Sequence, residues 1–180
     1  MTPKRYHLAL VALHWLLTLL LLVELGLGST VLQHTANSAP MKLFALRNHM
    51  VVGNLILLLT ILRFAVRLKM DLPSHASLGS AALDRLATLA HYSLYALTAL
   101  MAISGLVLAG QANLPAIVFQ GIGALPETFA GYSARTAHGV LATLLIALIG
   151  GHALAALYHQ FICKDGLLGR MWFGRKYGDA

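Results

Sequence analysis

At 180 residues, with 58% hydrophobic and 11% charged residues and a mean hydropathy of +0.75, the chain lies outside the composition of soluble domains. A formal charge of +7 would suit nucleic acid, but cations that flank apolar runs usually report orientation in a membrane, so no nucleic-acid partner is expected. The single cysteine, Cys163, cannot form an intrachain disulfide and reads as a small packing residue.

The first predicted element is an apolar span over about residues 8–32, preceded by Lys4 and Arg5. It is far longer than the roughly 7–15-residue apolar region of a secretory signal, so a retained helix is expected. Glu24 falls in its distal half, either as a water-exposed group at a pocket mouth or as a proton-handling group. After a connection containing Pro40, a second span covers about 45–68, ending in Arg63, Arg67 and Lys69. The two arginines read as snorkelling or facing anionic lipid. Pro73 and Ser74 break the chain before a third span at about 85–109.

The longest connection, about 110–135, contains Pro115, Pro126 and the apolar stretch 114–119. It is expected either to lie flat at the interface or to fold over the mouth of the bundle. A fourth span covers about 137–162. Tyr6, Trp15, Trp172 and Tyr177 gather near the same end of the spans, as interfacial anchors do.

A hydrocarbon-spanning helix needs roughly 20 mostly apolar residues, and four such spans leave no room for a soluble domain. The expectation is an all-α integral membrane four-helix bundle, a single transmembrane domain over 1–180, with lipid around it. Ten of the Lys and Arg residues fall on the side of the two termini and the middle connection, against Lys42, Arg47 and Arg135 on the other. That asymmetry puts both termini in the cytoplasm.

Nine histidines matter by position. His7, His34 and His75 fall at span edges or in connections and read as surface groups. His14, His49, His91, His138, His152 and His159 fall within or at the ends of apolar spans, where a polar ring must face the interior and have a partner. A bond to a backbone carbonyl would satisfy any one of them alone.

Spacing separates four of the six. His138 and His152 are fourteen residues apart, which is about 21 Å of helix rise and nearly four full turns. They share a face yet cannot serve one ion, so two sites at two depths are implied. Antiparallel threading puts His14 level with His152 and His49 level with His138. Two imidazoles facing across a bundle interior suit the axial positions of a haem iron, whereas zinc or copper usually takes three or four side-chain ligands. Gly53, Gly139, Gly150 and Gly151 stand close by in sequence, where a flat macrocycle needs small residues.

The segments LHW (13–15), RNHMVVG (47–53), ILRFAVRLK (61–69), LAHYSLYAL (89–97), ISGLVL (103–108), TAHGVLA (136–142) and GHALAALYHQFICKDGLLGRM (151–171) together resemble the bacterial cytochrome b-561 family. These are short four-helix dihaem cytochromes related to the membrane subunits of hydrogenase and formate dehydrogenase, and the likeness covers nearly the whole chain. The resemblance implies two haem b groups with iron ligands His14, His49, His138 and His152. It also implies a bacterial inner-membrane location and electron exchange with ubiquinone. Among short free-standing members it implies oxidation of superoxide with reduction of ubiquinone, and hence an enzyme. An alternative is an electron-conduit anchor that links a soluble hydrogenase, dehydrogenase or cytochrome partner to the quinone pool. A haem-free histidine-lined bundle would explain the spans but not the pairing at two depths.

A quinone headgroup needs hydrogen-bonding and titratable side chains beside a dry pocket. His91, His159, Lys164 and Asp165 are the candidates on the cytoplasmic side. On the outer side Lys42, Arg47 and Arg135 flank the second histidine pair, where cations could bind haem propionates or draw in a small anion.

Overall fold

The computed structural model describes residues 5–73 and 80–173. The expectations for Lys4, Ser74, His75, Arg175, Lys176 and Tyr177 therefore lie outside the described residues. The described chain is helical throughout its spans, in the order α1 (Leu8–Leu27) with a π turn (Gly28–Leu32), α2 (Pro40–Lys69), α3 (Ala81–Gln111), α4 (Leu114–Gln120), α5 (Ser133–Tyr158) with a π turn (His159–Cys163), and α6 (Leu167–Arg170). Among the described residues four helices are long and apolar enough to cross a membrane: Leu8–Leu32, Pro40–Lys69, Ala81–Gln111 and Ser133–Cys163.

The last three run further than hydropathy alone suggests, and α2 shows why. Pro40 occupies its first turn, where a residue without an N–H costs nothing and φ is already helical. At the other end Arg67 and Lys69 lie in the last turn, where their charge complements the helix dipole. Lys42 is thus a helical residue rather than part of the connection.

The packing is that of a protein surrounded by hydrocarbon. Leu19, Leu22, Leu58, Leu86 and Leu154 are each more than half exposed, whereas Glu24, Lys42, Thr60, Thr98 and Ser104 are buried. Water would make that inversion costly, and lipid makes it favourable. Helix α1 packs on α2, α2 on α3, and α3 on α5. The circuit is completed across the interior by side chains of α1 and α2 that meet α5.

The two ends of the bundle differ. At the end holding the long connection, which we call the loop end, Leu46, Ala109, Ala112, Leu114 and Val118 form a buried apolar cluster backed by Met50, Phe129 and Tyr132. The connection folds over the bundle mouth: Arg47 Nη2 donates to Val118 O at 2.7 Å and Asn37 Nδ2 to Pro126 O at 2.8 Å. Helix α4 stops at Gly121, whose φ of +71° is left-handed, a conformation that glycine adopts without steric penalty.

The π turn at the end of α1 widens the helix by one residue, with Gln33 N–H donating to Gly28 O at 3.1 Å. Lys42 Nζ reaches the carbonyls beyond it, donating to Leu32 O and to Thr35 O at 2.9 Å. A buried ammonium thus satisfies backbone acceptors that the end of a helix leaves open.

At the opposite end, which holds the described chain ends, Trp15 Nε1 donates to Met171 O at 2.7 Å. The Trp15 and Trp172 rings meet edge to face at 5.4 Å. These two tryptophans clamp α1 to the segment after α6, an internal contact beyond simple interfacial anchoring. Arg63 also departs from expectation. Its guanidinium is not directed to lipid but donates to the Tyr95 hydroxyl and lies over the Tyr95 ring at 5.2 Å, because α3 presents an acceptor and a π face inside the bundle.

Candidate functional site

Two histidine pairs face each other at two depths. At the loop end His49 of α2 meets His138 of α5 with ring centres 6.0 Å apart and planes at 82°. At the terminal end His14 of α1 meets His152 of α5 at 6.3 Å and 75°. An imidazole nitrogen sits about 2 Å from a first-row metal and about 1 Å in front of its ring centre, so two opposed ligands of one iron bring their ring centres to about 6 Å. Both pairs have that separation. Among the described residues no group of three or more His, Cys, Asp or Glu is gathered to hold a metal ion. The histidines therefore offer themselves two at a time.

The loop-end pair opens onto a cavity of about 410 Å³, within the roughly 300–1,000 Å³ range of cofactor clefts. Its wall carries Gly28, Gly53, Gly105 and Gly139 beside His49 and His138. A Cβ on Gly53 would meet nothing within 4 Å, so the glycine borders open space. A Cβ on Gly105 would lie 3.2 Å from His138 Cε1, so that glycine lets the imidazole lie close against α3. Gly150 and Gly151, before His152, are exposed on α5, and a Cβ there would meet nothing within 4 Å. Opposed imidazoles beside space that side chains leave unfilled fit a flat macrocycle.

The rear nitrogens of the loop-end pair are both engaged. Ser104 Oγ donates to Met101 O at 2.7 Å, which leaves that oxygen to accept from His138 Nδ1 at 2.9 Å. Glu24, buried on α1, places its carboxylate against His49 Nδ1. With Nδ1 as the N–H nitrogen in both rings, Nε2 carries the lone pair available for a metal, and the ring angle is set by the partner behind it.

Of the flanking cations, Lys42 and Arg135 line this cavity and a more polar one of about 640 Å³ that shares its outer wall. Arg135 lies along α5, its Nη1 3.0 Å from where a Cβ on Gly139 would stand. Arg47 is not at the cavity. It is committed to Val118 O and lies 6.0 Å from the centre of the Phe119 ring, because the folded-over connection supplies both groups.

The terminal-end candidates fall into two groups. His91 of α3 meets His152 with ring centres 5.3 Å apart, closer than two opposed metal ligands require, and so adds a third imidazole beside the His14 and His152 pair. His159 Nδ1 pairs with Asp165 Oδ2 at 2.5 Å, and Asp165 Oδ1 accepts from Leu167 N–H at 3.0 Å. The hydrogen bond from His159 holds the Asp165 carboxyl below its usual range. Lys164 adopts the left-handed conformation, φ 52°, which reverses the chain and lets the carboxylate return to the histidine.

The family described as prokaryotic cytochrome b561 matches residues 5–174. The chain belongs to this family. Membership makes it a membrane electron-transfer protein with b-type haem as the implied cofactor. A relative from Yersinia pestis, named probable superoxide oxidase CybB, is 30% identical over 179 residues, a match covering 93% of this chain and 96% of the relative.

Sequence reasoning did not single out Ser104 or Gly105 as site residues. Both lie in the ISGLVL segment of the resemblance, and a serine beside a glycine on an apolar helix was the available signal. The partner of Glu24 was likewise not legible, although a carboxylate inside a span demands one.

Proposed function

We propose that this cytochrome b561 family member holds two b haems, oxidises superoxide at the outer side and reduces ubiquinone near the cytoplasmic side. The observation that carries the reading is the pair of opposed histidines repeated at two depths, at 6.0 Å and 6.3 Å. The ring separations support His49 and His138 as ligands of one iron and His14 and His152 as ligands of the other. When bound, haems held by these pairs would supply one-electron carriers at two depths of the bundle. The excess of Lys and Arg near the terminal end supports a cytoplasmic location for it, in the inner membrane of a bacterium.

The chain's own residues then divide the work. Lys42 and Arg135 give the loop-end cavity a positive wall that draws in a small anion. Two superoxide anions each give up one electron and leave as dioxygen. At the terminal end quinone takes two electrons and two protons. His159 and Asp165, joined and exposed towards water, are the proton-carrying pair, with Lys164 and His91 as further contacts for the headgroup. The name of the Yersinia relative supports superoxide as donor.

The test uses the purified protein. A reduced-minus-oxidised spectrum with about two haems per chain is expected, H138A removing the loop-end haem and H152A the terminal-end one. Loss of both haems in equal measure from either change would sink the pairing. With superoxide and ubiquinone supplied, quinol must form faster than in the protein-free mixture, and its failure to do so would overturn the assigned activity.

A further inference from the structure

We propose that Glu24 is a positioning residue for the loop-end site: its carboxylate, set against His49 Nδ1 as an ion pair, aims Nε2 into the cavity and makes the iron held there the more reducing of the two. This rests on the two-site reading above.

The argument begins with cost. Glu24 is 7% exposed and sits in the interior of a span, where a carboxylate is expensive to place and persists only with a partner. Its partner is His49 Nδ1. The two atoms are buried in ion-pair contact, and neither stands in hydrogen-bonding geometry with any group among the described residues. Steering a ring needs only an acceptor, and the bundle shows as much on the opposite side of the same cavity, where the neutral Ser104 hydroxyl holds His138. A serine or an amide behind His49 would serve orientation at lower cost. What a carboxylate adds is electron density passed through the imidazole, which makes it a stronger donor to the metal and favours the more positive, oxidised state.

The surroundings sharpen the contrast between the two sites. Lys42 and Arg135 line the same cavity, but the Lys42 ammonium is bonded to two backbone carbonyls and Arg135 lies at the polar outer wall. Glu24 acts through the ligand itself. Each pair has an arginine within electrostatic reach, Arg135 for His138 and Arg63 for the terminal-end pair, so the carboxylate is what sets the loop end apart. Arg63, held by Tyr95, lies within electrostatic reach of both His14 and His152, where a cation favours the reduced state. With an arginine near each pair, the carboxylate behind His49 orders the two sites, the loop end being the stronger reductant.

The experiment is a redox titration of the purified dihaem protein and of E24Q, followed by the visible band of each haem and by the EPR spectrum of the ferric state. E24Q keeps size and an acceptor oxygen but removes the charge. The expected result is two haems per chain, a raised midpoint and an altered low-spin signal for the loop-end haem, and no change at the other. Two haems with both midpoints at wild-type values, or both shifted alike, would overturn the proposal. A wild-type protein without haem would instead refute the two-site reading on which it rests. If E24Q does not retain the loop-end haem, the wild type decides. The haem that is lost in H138A must then be the one with the lower midpoint in the wild type, and its having the higher midpoint would refute the role of Glu24.

Discussion

Ser104→Ala isolates one bond behind one proposed ligand. Ser104 is 9% exposed and its Oγ is the acceptor for His138 Nδ1 at 2.9 Å. Removing it leaves a buried ring N–H without that partner, at a cost of about 1–3 kcal/mol. At about 1.4 kcal/mol per tenfold, that range corresponds to roughly 5- to 150-fold in the affinity of whatever His138 holds. Loss of a group behind a metal-bound histidine typically costs about 10–100-fold, so we expect the loop-end haem to bind about 10–100-fold more weakly. The loss of the back-bond to Met101 O works the other way on α3, because such bonds slightly destabilise helices, so the fold should survive. The assay is haem transfer from the purified protein to an excess of a haem-scavenging protein, with each site followed by its own absorbance band. One haem leaving faster while the other is retained is the expected outcome. Unchanged retention of both, or equal loosening of both, would refute the assignment of His138 and its serine to a single site.

Gly53→Phe should empty the same site by volume. The Cβ enters open space, so α2 can form as before, but the ring fills the cavity that Gly53 lines. A helical circular dichroism spectrum with about half the haem content is expected, and full haem content would show that the macrocycle does not lie there. Lys42→Met removes the ammonium from Leu32 O and Thr35 O, leaving carbonyls at the end of α1 without their donor, and should lower stability by about 1–3 kcal/mol. Faster proteolytic cleavage between residues 32 and 40 would report it, and unchanged cleavage would argue that the contact is incidental. The His159 and Asp165 pair predicts a pH effect at the other end. Because the Asp165 carboxyl is held low by His159, its contribution is present above the ordinary carboxylate range and is lost as pH falls through its depressed folded value. The protection of the Leu167 amide, which donates to Asp165, measured against the intrinsic exchange rate at each pH, should fall as acid is added, and in D165N it should be low already at neutral pH.

The four spans were legible because lipid imposes a simple demand, a run of apolar residues long enough to cross, and Leu8–Leu32 or Ser133–Cys163 meets it without help from tertiary contacts. The pairing of histidines was legible for a related reason: fourteen residues on one helix fix both a face and a depth, and antiparallel threading does the rest. What could not be read was rotation. A helix that is apolar nearly all round carries no stripe to say which side faces its neighbour, so nothing in ISGLVL announces that Ser104 and Gly105 of α3 lie against His138 of α5.

Two of the cations, Arg63 and Arg47, have partners other than those the sequence suggested, for a connected reason. Arg63 was placed by its distance from the membrane edge, which is the right coordinate for a side chain choosing between lipid and water, and Arg47 by its closeness in sequence to His49. Each instead found a third option, the Tyr95 hydroxyl and ring for one and the Val118 carbonyl for the other. Both partners are created by packing between segments distant in sequence. The same logic gives Glu24 its meaning. The sequence could say that a carboxylate at that depth needs a partner, but only the packing of α1 on α2 shows that the partner is the ring of His49, and therefore that the charge bears on the proposed iron site rather than on solvent.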